Sequence, residues 1–308
     1  MKMYTSKVEG DEYATAERVK QFQPEGKHIS NSSFNEEGNR FFYTICDGAL
    51  LNPACAIYMS EWKGTDWTEG KMLNEEINLK GTTNTQPYYA RTATGNEVLY
   101  FVSNRSFSGD STKRDLDIWR MRKTAQGWSQ PMRLPEPINS AADEYYPTLT
   151  DQGVLYFSSD RGGGDANIYR SVPLNGSYFS VHKMGNQINS EFNEYEPFIA
   201  HDESYMIFMS TRPNGLTHGD LYFSQRINGV WQTAMVLPPP FNSTGTEWSP
   251  SVSRDGKFVF FGSTRSRSFH SDHAETMEEL NQRINSAGNG LGDIYRVDFT
   301  VLKQLIKL

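Results

Sequence analysis

An all-β propeller of four-stranded antiparallel blades is the fold this sequence predicts, and three observations predict it. A motif of roughly fifty residues recurs along almost the whole chain, the length of one propeller blade. Its segments are short apolar runs separated by tight-turn dipeptides. Its internal spacing is constant. An aromatic at Tyr58, Trp119, Tyr169 and Tyr222 is followed nine residues later by Trp67, Trp128, Tyr178 and Trp231. Six further stand Leu73, Leu134, Met184 and Leu237, and five beyond these Asn78, Asn139, Asn189 and Asn242. A fifth repeat carries Tyr295 after a long insertion.

Each repeat divides into four strands. Strand A surrounds Pro87, Pro147, Pro197 or Pro250, on the innermost edge, where proline removes the fewest ladder bonds. A tight turn such as Asp255-Gly256 leads into strand B, an apolar run such as Val154-Leu155-Tyr156-Phe157. Its near-continuous hydrophobicity suits a sheet packed between two neighbours. Strand C holds an Ile-Tyr pair, a second turn comes at Asn175-Gly176 or Asn228-Gly229, and strand D begins at the Trp or Tyr.

Five A–B repeats imply five blades in one domain spanning 1–308. The segment 1–27 is expected to close the ring, with Tyr13 to Val19 as the outer strand of the last blade. A strand C-like match at Tyr4 leaves six blades as an alternative. The fifth B–C loop, 266–292, breaks the symmetry. Asp272 with Glu275 three residues later reads as a capping box, and Met277, Leu280 and Ile284 share one helical face. A short helix laying that stripe on the propeller is expected there.

Composition narrows the function. A net charge of −7 argues against a nucleic-acid ligand, and no apolar run reaches the ~18–20 residues of a membrane span. Residues 1–7 lack the hydrophobic core of a signal peptide, which fits a cytosolic protein or a mature form. No nucleophile elbow, phosphate loop, zinc motif or dinucleotide fingerprint occurs, so no cofactor is expected. His270, Asp272 and His273 flank a helix cap without a dependable metal spacing, and no metal is expected either.

Repeated charges form two sets. Arg105, Arg161, Arg212 and Arg265 end strand B, and Asp117, Asp220 and Asp293 start strand C, with Asn167 in the third repeat. Ion pairs across the loop, worth ~0–1 kcal/mol each when exposed, are the natural structural reading. The first repeat carries Cys46 where the others carry Arg, and Cys55 immediately before Ala56 at the Asp position. A disulfide is expected to replace the missing pair and points to an oxidising compartment; two unpaired thiols are the alternative. In the second set Glu144, Glu194 and Glu247 stand three residues before the proline, each followed by Tyr145, Tyr195 or Trp248. Carboxylates beside aromatic faces suit a sugar or a cationic peptide. The same glutamates can instead pair with the strand-end arginines, or act as acid and base on a glycosidic bond.

The Ser253-Arg254-Asp255-Gly256-Lys257 turn, the strand-end arginines and the Asp117, Asp220 and Asp293 strand starts resemble the WD-like propeller repeat of the TolB type. The resemblance covers about residues 28 to 296. It implies a β-propeller of the kind found in periplasmic and outer-membrane-associated bacterial proteins. The chain departs from TolB itself in lacking the separate α/β domain that precedes the propeller there. The expected role is that of a non-enzymatic extracytoplasmic binding or scaffold module, monomeric, recognising a protein, peptide or envelope glycan on its loop face. The alternative is a carbohydrate-active hydrolase or lyase with carboxylates at the channel mouth.

Overall fold

The apolar runs fold as the second strands of five antiparallel sheets. The computed structural model describes residues 27–47, 54–92, 95–106, 115–216, 219–266, 274–284, 286, 288, 289 and 292–306, with short stretches at 4–5, 8–9, 12–13 and 17–18 and Phe22. The first blade comprises Lys27–Phe34, Arg40–Asp47, Cys55–Glu61 and Lys71–Met72; the second, Asn84–Arg91, Glu97–Ser103, Asp117–Thr124 and Met132–Arg133. The third comprises Glu144–Leu149, Leu155–Ser159, Asn167–Ser171 and His182–Lys183. The fourth comprises Glu194–Ile199, Tyr205–Ser210, Asp220–Ile227 and Met235–Val236; the fifth, Glu247–Val252, Phe258–Ser263 and Asp293–Asp298. Five blades is therefore the number, and the fold is an all-β propeller. The chain divides into two compact units, 1–155 with 171–181, and 156–170 with 182–308.

Strand B is buried along its length, from Val98 to Ser103 in the second blade and from Leu155 to Ser159 in the third. Covering on both faces is what its unbroken apolar sequence requires. The C–D turns are as the dipeptides dictate. Asn175 and Gly176 have φ of 52° and 73°, and Asn228 and Gly229 have 50° and 80°, the left-handed pair that matches the twist of a hairpin.

The repeated asparagine explains the constant spacing. Asn78, Asn139, Asn189 and Asn242 each accept the backbone N–H of a strand C residue (Ile57, Ile118, Ile168, Leu221) at 2.7–2.8 Å. Each carboxamide then donates to the carbonyl of that same residue at 2.9 Å. Its second donor meets the carbonyl of Leu73, Leu134, Met184 or Leu237 at 2.7–2.9 Å. One side chain thus continues the ladder where strand D has ended.

Strand A lies on the edge of its sheet, as expected of a strand that carries proline. The residue before it is left-handed: Gln86, Tyr146, Glu196 and Ser249 have φ of 52°, 54°, 52° and 48°, and Asn31 in the first blade has 37°. The pairing register shifts at that point in the first, second, fourth and fifth blades. A bulge lifts the proline out of the ladder, so its missing N–H costs no bond.

The two chain ends add elements of their own. Tyr4–Thr5 pairs with Glu17–Arg18, and Val8–Glu9 with Glu12–Tyr13. Phe22 is buried with Phe41, Tyr43 and Trp67 of the first blade. The fifth sheet has three strands among the described residues; that Tyr13 to Val19 supply its outer strand stands as a proposal. At the other end, Phe299–Ile306 forms a helix that the blade repeat does not contain. Asp298 caps it, accepting the Thr300 N–H at 2.7 Å. Phe299 and Leu302 enter the core formed by Ile207, Leu221, Leu237, Val259 and Phe261.

The helix in the fifth loop is present, at Met277–Ile284, but its cap differs. Thr276 and Glu279 form the capping box, with reciprocal bonds of 2.9 and 3.2 Å; Asp272 lies outside the described residues. The later start places Met277 in the first turn, where it is exposed, so it does not begin a buried stripe.

The disulfide forms: Cys46 and Cys55 are directly opposed on strands B and C, with Cα atoms 4.1 Å apart. The expected equivalence of Cys46 with the strand-end arginines needs a correction of one residue. Tyr43 pairs with Tyr58 as Phe261 pairs with Tyr295, so the arginine position falls on Asp47, which makes an ion pair with Lys27. The Cys46→Ser, Cys55→Ser double variant is expected to lose about 2–3 kcal/mol, the loop-closure contribution of a short cross-link. Urea unfolding of the oxidised chain against this variant measures it, and equal midpoints would contradict the expectation.

Candidate binding surface at the loop ends of the strands

At the end of each blade where strand A starts and strand B finishes, the predicted glutamates are wholly buried. Each reaches back to the serine four residues earlier. Glu144 accepts the Ser140 N–H and hydroxyl at 2.8 and 2.6 Å, Glu194 those of Ser190 at 3.0 and 2.5 Å, and Glu247 those of Ser243 at 3.2 and 2.6 Å. Glu194 also takes the Ser210 hydroxyl at 3.0 Å and Arg212 Nε at 3.1 Å; Glu247 takes the Ser263 hydroxyl at 2.6 Å and Arg265 Nη2 at 3.3 Å. In the second blade Asn84 plays the same part, accepting from Ser103 at 2.8 Å and Arg105 at 2.7 Å. These side chains fasten the mouths of the second to fifth blades.

The arginines lie in a slot between two rings. Arg105 stands over Phe101 and Trp119 at 5.2 and 5.0 Å, Arg161 over Phe157 and Tyr169 at 5.3 and 4.9 Å. Arg212 stands over Phe208 and Tyr222 at 5.7 and 4.8 Å, and Arg265 over Phe261 and Tyr295 at 5.1 and 4.5 Å. Cation–π attraction of ~0.5–2 kcal/mol at such distances folds each guanidinium back over the sheet. Arg105, Arg212 and Arg265 therefore meet strand A, at Asn84, Glu194 and Glu247, and not the far side of the loop. The expected pairs of Arg212 with Asp220 and Arg265 with Asp293 are replaced by pairs with Glu194 and Glu247. Asp117 is gripped by Arg133, at 2.6 Å to each oxygen, while Arg105 caps the carbonyls of Glu76 and Ile77. Burial lowers the Arg105 pKa to about 10. Asp293 accepts the Gly288 N–H at 2.7 Å.

Beside this fastening stand the predicted aromatics, each half-buried. In the first compact unit Tyr145 meets the Tyr146 ring edge-on at 5.4 Å. In the second compact unit Tyr195 donates its hydroxyl to Asn193 Oδ1 at 2.9 Å. Burial, with the carboxylates of Asp165 and Asp160, holds its phenol above the ordinary range. Trp248 packs against Gly262 and Gly292, where a Cβ would come within 2.5 and 3.1 Å of the indole. The two glycines are therefore the seat of that ring.

One residue further on come the left-handed positions, which sequence reasoning missed. Gln86 Oε1 accepts the Tyr146 N–H at 2.6 Å. Glu196 accepts both the N–H of Ser249 and its hydroxyl, the latter at 2.9 Å. A non-glycine residue held there stores on the order of 1–3 kcal/mol, and such strain gathers at functional sites. One signal was present: the position before each strand A proline reads Gln, Tyr, Glu and Ser inside an otherwise constant frame.

A cleft of about 500 Å³ opens beside the second blade, lined by Arg105, Asp117, Arg133, Glu136 and Ser140, whose Asp117–Arg133 pair is already closed. Among the described residues no three His, Cys, Asp or Glu side chains gather to hold a metal. His270, Asp272 and His273 lie outside those residues. No helix among the described residues is long and apolar enough to cross a membrane.

Blade count, strand order and the repeated staple define the class: a five-bladed β-propeller whose repeats resemble the TolB type. No family model matches the chain, and neither does any curated protein. Among solved structures it is similar to a candidate TolB from Agrobacterium tumefaciens, 16% identical over 76% of this chain and 73% of that one, with a TM-score of 0.49. The α-L-arabinofuranosidase of Lactobacillus brevis is 9% identical over 75% and 82%, with a TM-score of 0.47. An oligogalacturonate lyase in complex with manganese is 12% identical over 80% and 65%, with a TM-score of 0.44. Likenesses this distant carry no conclusion about activity.

Proposed function

We propose that the chain is an extracytoplasmic binding propeller that recognises a protein or peptide partner with the loop-end side chains of strand A. These are Tyr195, Glu196, Trp248 and Ser249 of the second compact unit. The observation that carries the reading is the left-handed residue before the proline in four blades. A strained position filled by four different side chains is costly as architecture and useful as a recognition surface. Partly exposed tyrosine and tryptophan are the residue types that dominate protein interfaces. Glu144, Glu194 and Glu247 then act as positioning groups, since their carboxylates are wholly buried and bonded to serine and arginine. The Cys46–Cys55 disulfide supports an oxidising compartment.

The test compares the chain with its Tyr195→Ala and Trp248→Ala variants in cross-linking capture from envelope extracts, with reducing-sugar release measured on polysaccharides in parallel. Specific capture that both variants lose, without sugar release, is the expected result. Sugar release abolished by Glu194→Gln or Glu247→Gln would replace this reading with a carbohydrate-active enzyme.

A further inference from the structure

We infer that the cleft beside the second blade binds a small zwitterion, an α-amino acid or a short peptide, through its carboxylate and its ammonium group. The cleft measures about 500 Å³, within the range of small-molecule sites. Its lining includes Arg105, Ser106, Asp115, Asp117, Arg133 and Glu136. All six belong to the first compact unit, apart from the loop-end surface of the second.

The basic pole comes from a departure in the repeat. In the fourth and fifth blades the strand-end arginine meets Glu194 or Glu247. Arg105 meets Asn84 instead, which accepts a hydrogen bond but carries no charge. Arg105 is only 7% exposed, and burial pulls its pKa down to about 10 with no carboxylate opposing it. A buried charge without a counter-charge is costly. Of its five N–H groups, Nε donates to Ser103 at 3.0 Å, Nη1 to the Glu76 carbonyl at 2.7 Å, and Nη2 to the Ile77 carbonyl and to Asn84. The second Nη1 hydrogen has no acceptor among the described residues. Two more donors beside it are unanswered. The Ser106 hydroxyl is buried without a partner, and so is the indole N–H of Trp119, whose ring centre is 5.0 Å from the Arg105 guanidinium. At the Trp119 position of other blades the phenols find acceptors: Tyr169 the Arg161 carbonyl at 3.1 Å, and Tyr222 the Asn214 side chain at 2.7 Å. A carboxylate supplies both the missing charge and several acceptor sites.

The rest of the lining selects against a bare anion. Asp117 and Arg133 close on each other, at 2.6 Å to each oxygen. Arg105 then shares the cleft with two further carboxylates, Asp115 and Glu136, the latter exposed. A phosphate or a dicarboxylate would meet that excess of negative charge and be repelled. An ammonium group close to the ligand carboxylate turns the excess into attraction. The reduced dielectric of a cleft strengthens both contacts. Opposite charges on one small molecule are the defining chemistry of an amino acid or a short peptide.

Isothermal titration calorimetry of the full chain tests this. The probes are alanine, dialanine, N-acetyl-dialanine, which lacks the ammonium group, and dialanine amide, which lacks the carboxylate. Alanine or dialanine is expected to bind, and which of them does so separates a free amino acid from a peptide. Each blocked form should bind at least about tenfold more weakly than dialanine or alanine. Arg105→Met should abolish binding. Because that variant can lose stability, Ser106→Ala and Glu136→Gln serve beside it; each should weaken binding about threefold or more with thermal unfolding unchanged. Tyr195→Ala and Trp248→Ala should leave binding as it is, so failure of the loop-end reading is distinguishable. Absence of binding by both zwitterions at about 10 mM, equal binding of a blocked form, or binding indifferent to both Ser106→Ala and Glu136→Gln overturns the inference.

Discussion

Asn139→Ala is expected to destabilise the chain by about 3–5 kcal/mol, a large share of the ~5–15 kcal/mol that holds a typical domain together. The side chain has no exposed surface and makes three bonds to backbone: with the Ile118 N–H at 2.8 Å, and with the carbonyls of Ile118 and Leu134 at 2.9 Å each. Alanine leaves the Ile118 N–H and the Leu134 carbonyl buried and unpaired, at ~1–3 kcal/mol apiece before relaxation or entering water offsets part of it, while the Ile118 carbonyl keeps the Leu134 N–H at 3.0 Å. Asn139→Asp keeps the acceptor but sets a carboxylate against two carbonyls, so it should rescue little. Urea unfolding measures both variants. A shift below about 1 kcal/mol would mean that strand D, and not the asparagine, holds the ladder.

Glu194→Ala is the second large effect, again about 3–5 kcal/mol, because it removes one partner of a buried charge pair and leaves the other. Glu194 has no exposed surface, and its carboxylate binds Ser190, Ser210 and Arg212 together. Without it, Arg212 keeps the Phe208 and Tyr222 rings and the Ile188 carbonyl but loses its counter-charge. Glu194→Gln retains an acceptor for Ser190 and should cost roughly half as much. Thermal unfolding beside the capture assay separates the two roles this residue could play. A large loss of stability marks a positioning residue. Unchanged stability with lost capture would return Glu194 to the ligand-binding set.

The legible parts of the fold were those that depend on spacing and local chemistry. The Asn-Gly turns, the strand B runs and the Cys46–Cys55 pairing result from neighbours a few residues apart or across one hairpin. The less legible parts depend on what a side chain meets in space. Arg212 and Asp220 flank one loop, which suggests a pair, yet stacking on Phe208 and Tyr222 turns the arginine toward Glu194. The cap at Thr276 competed with an equally good signal at Asp272. The C-terminal helix was hidden because the repeat has no place for it, although Asp298 with Phe299 and Leu302 carries a cap and an apolar face.

The candidate surface divides in the same way. Tyr145, Tyr195 and Trp248 were visible as aromatics at a fixed offset from proline. Gly262 and Gly292 gain meaning only because the Trp248 indole rests on them. The left-handed backbone at Gln86, Tyr146, Glu196 and Ser249 was hidden, since none of these residue types announces a positive φ. By itself, then, the sequence determined the blade, its turns, its asparagine latch and its disulfide, because each is a contact of short reach repeated at constant spacing. Tertiary structure decided which of these candidate side chains stay exposed. Burial consumed the glutamates that looked like chemistry, and bulges turned unremarkable residues before proline into the strained positions of the loop-end surface.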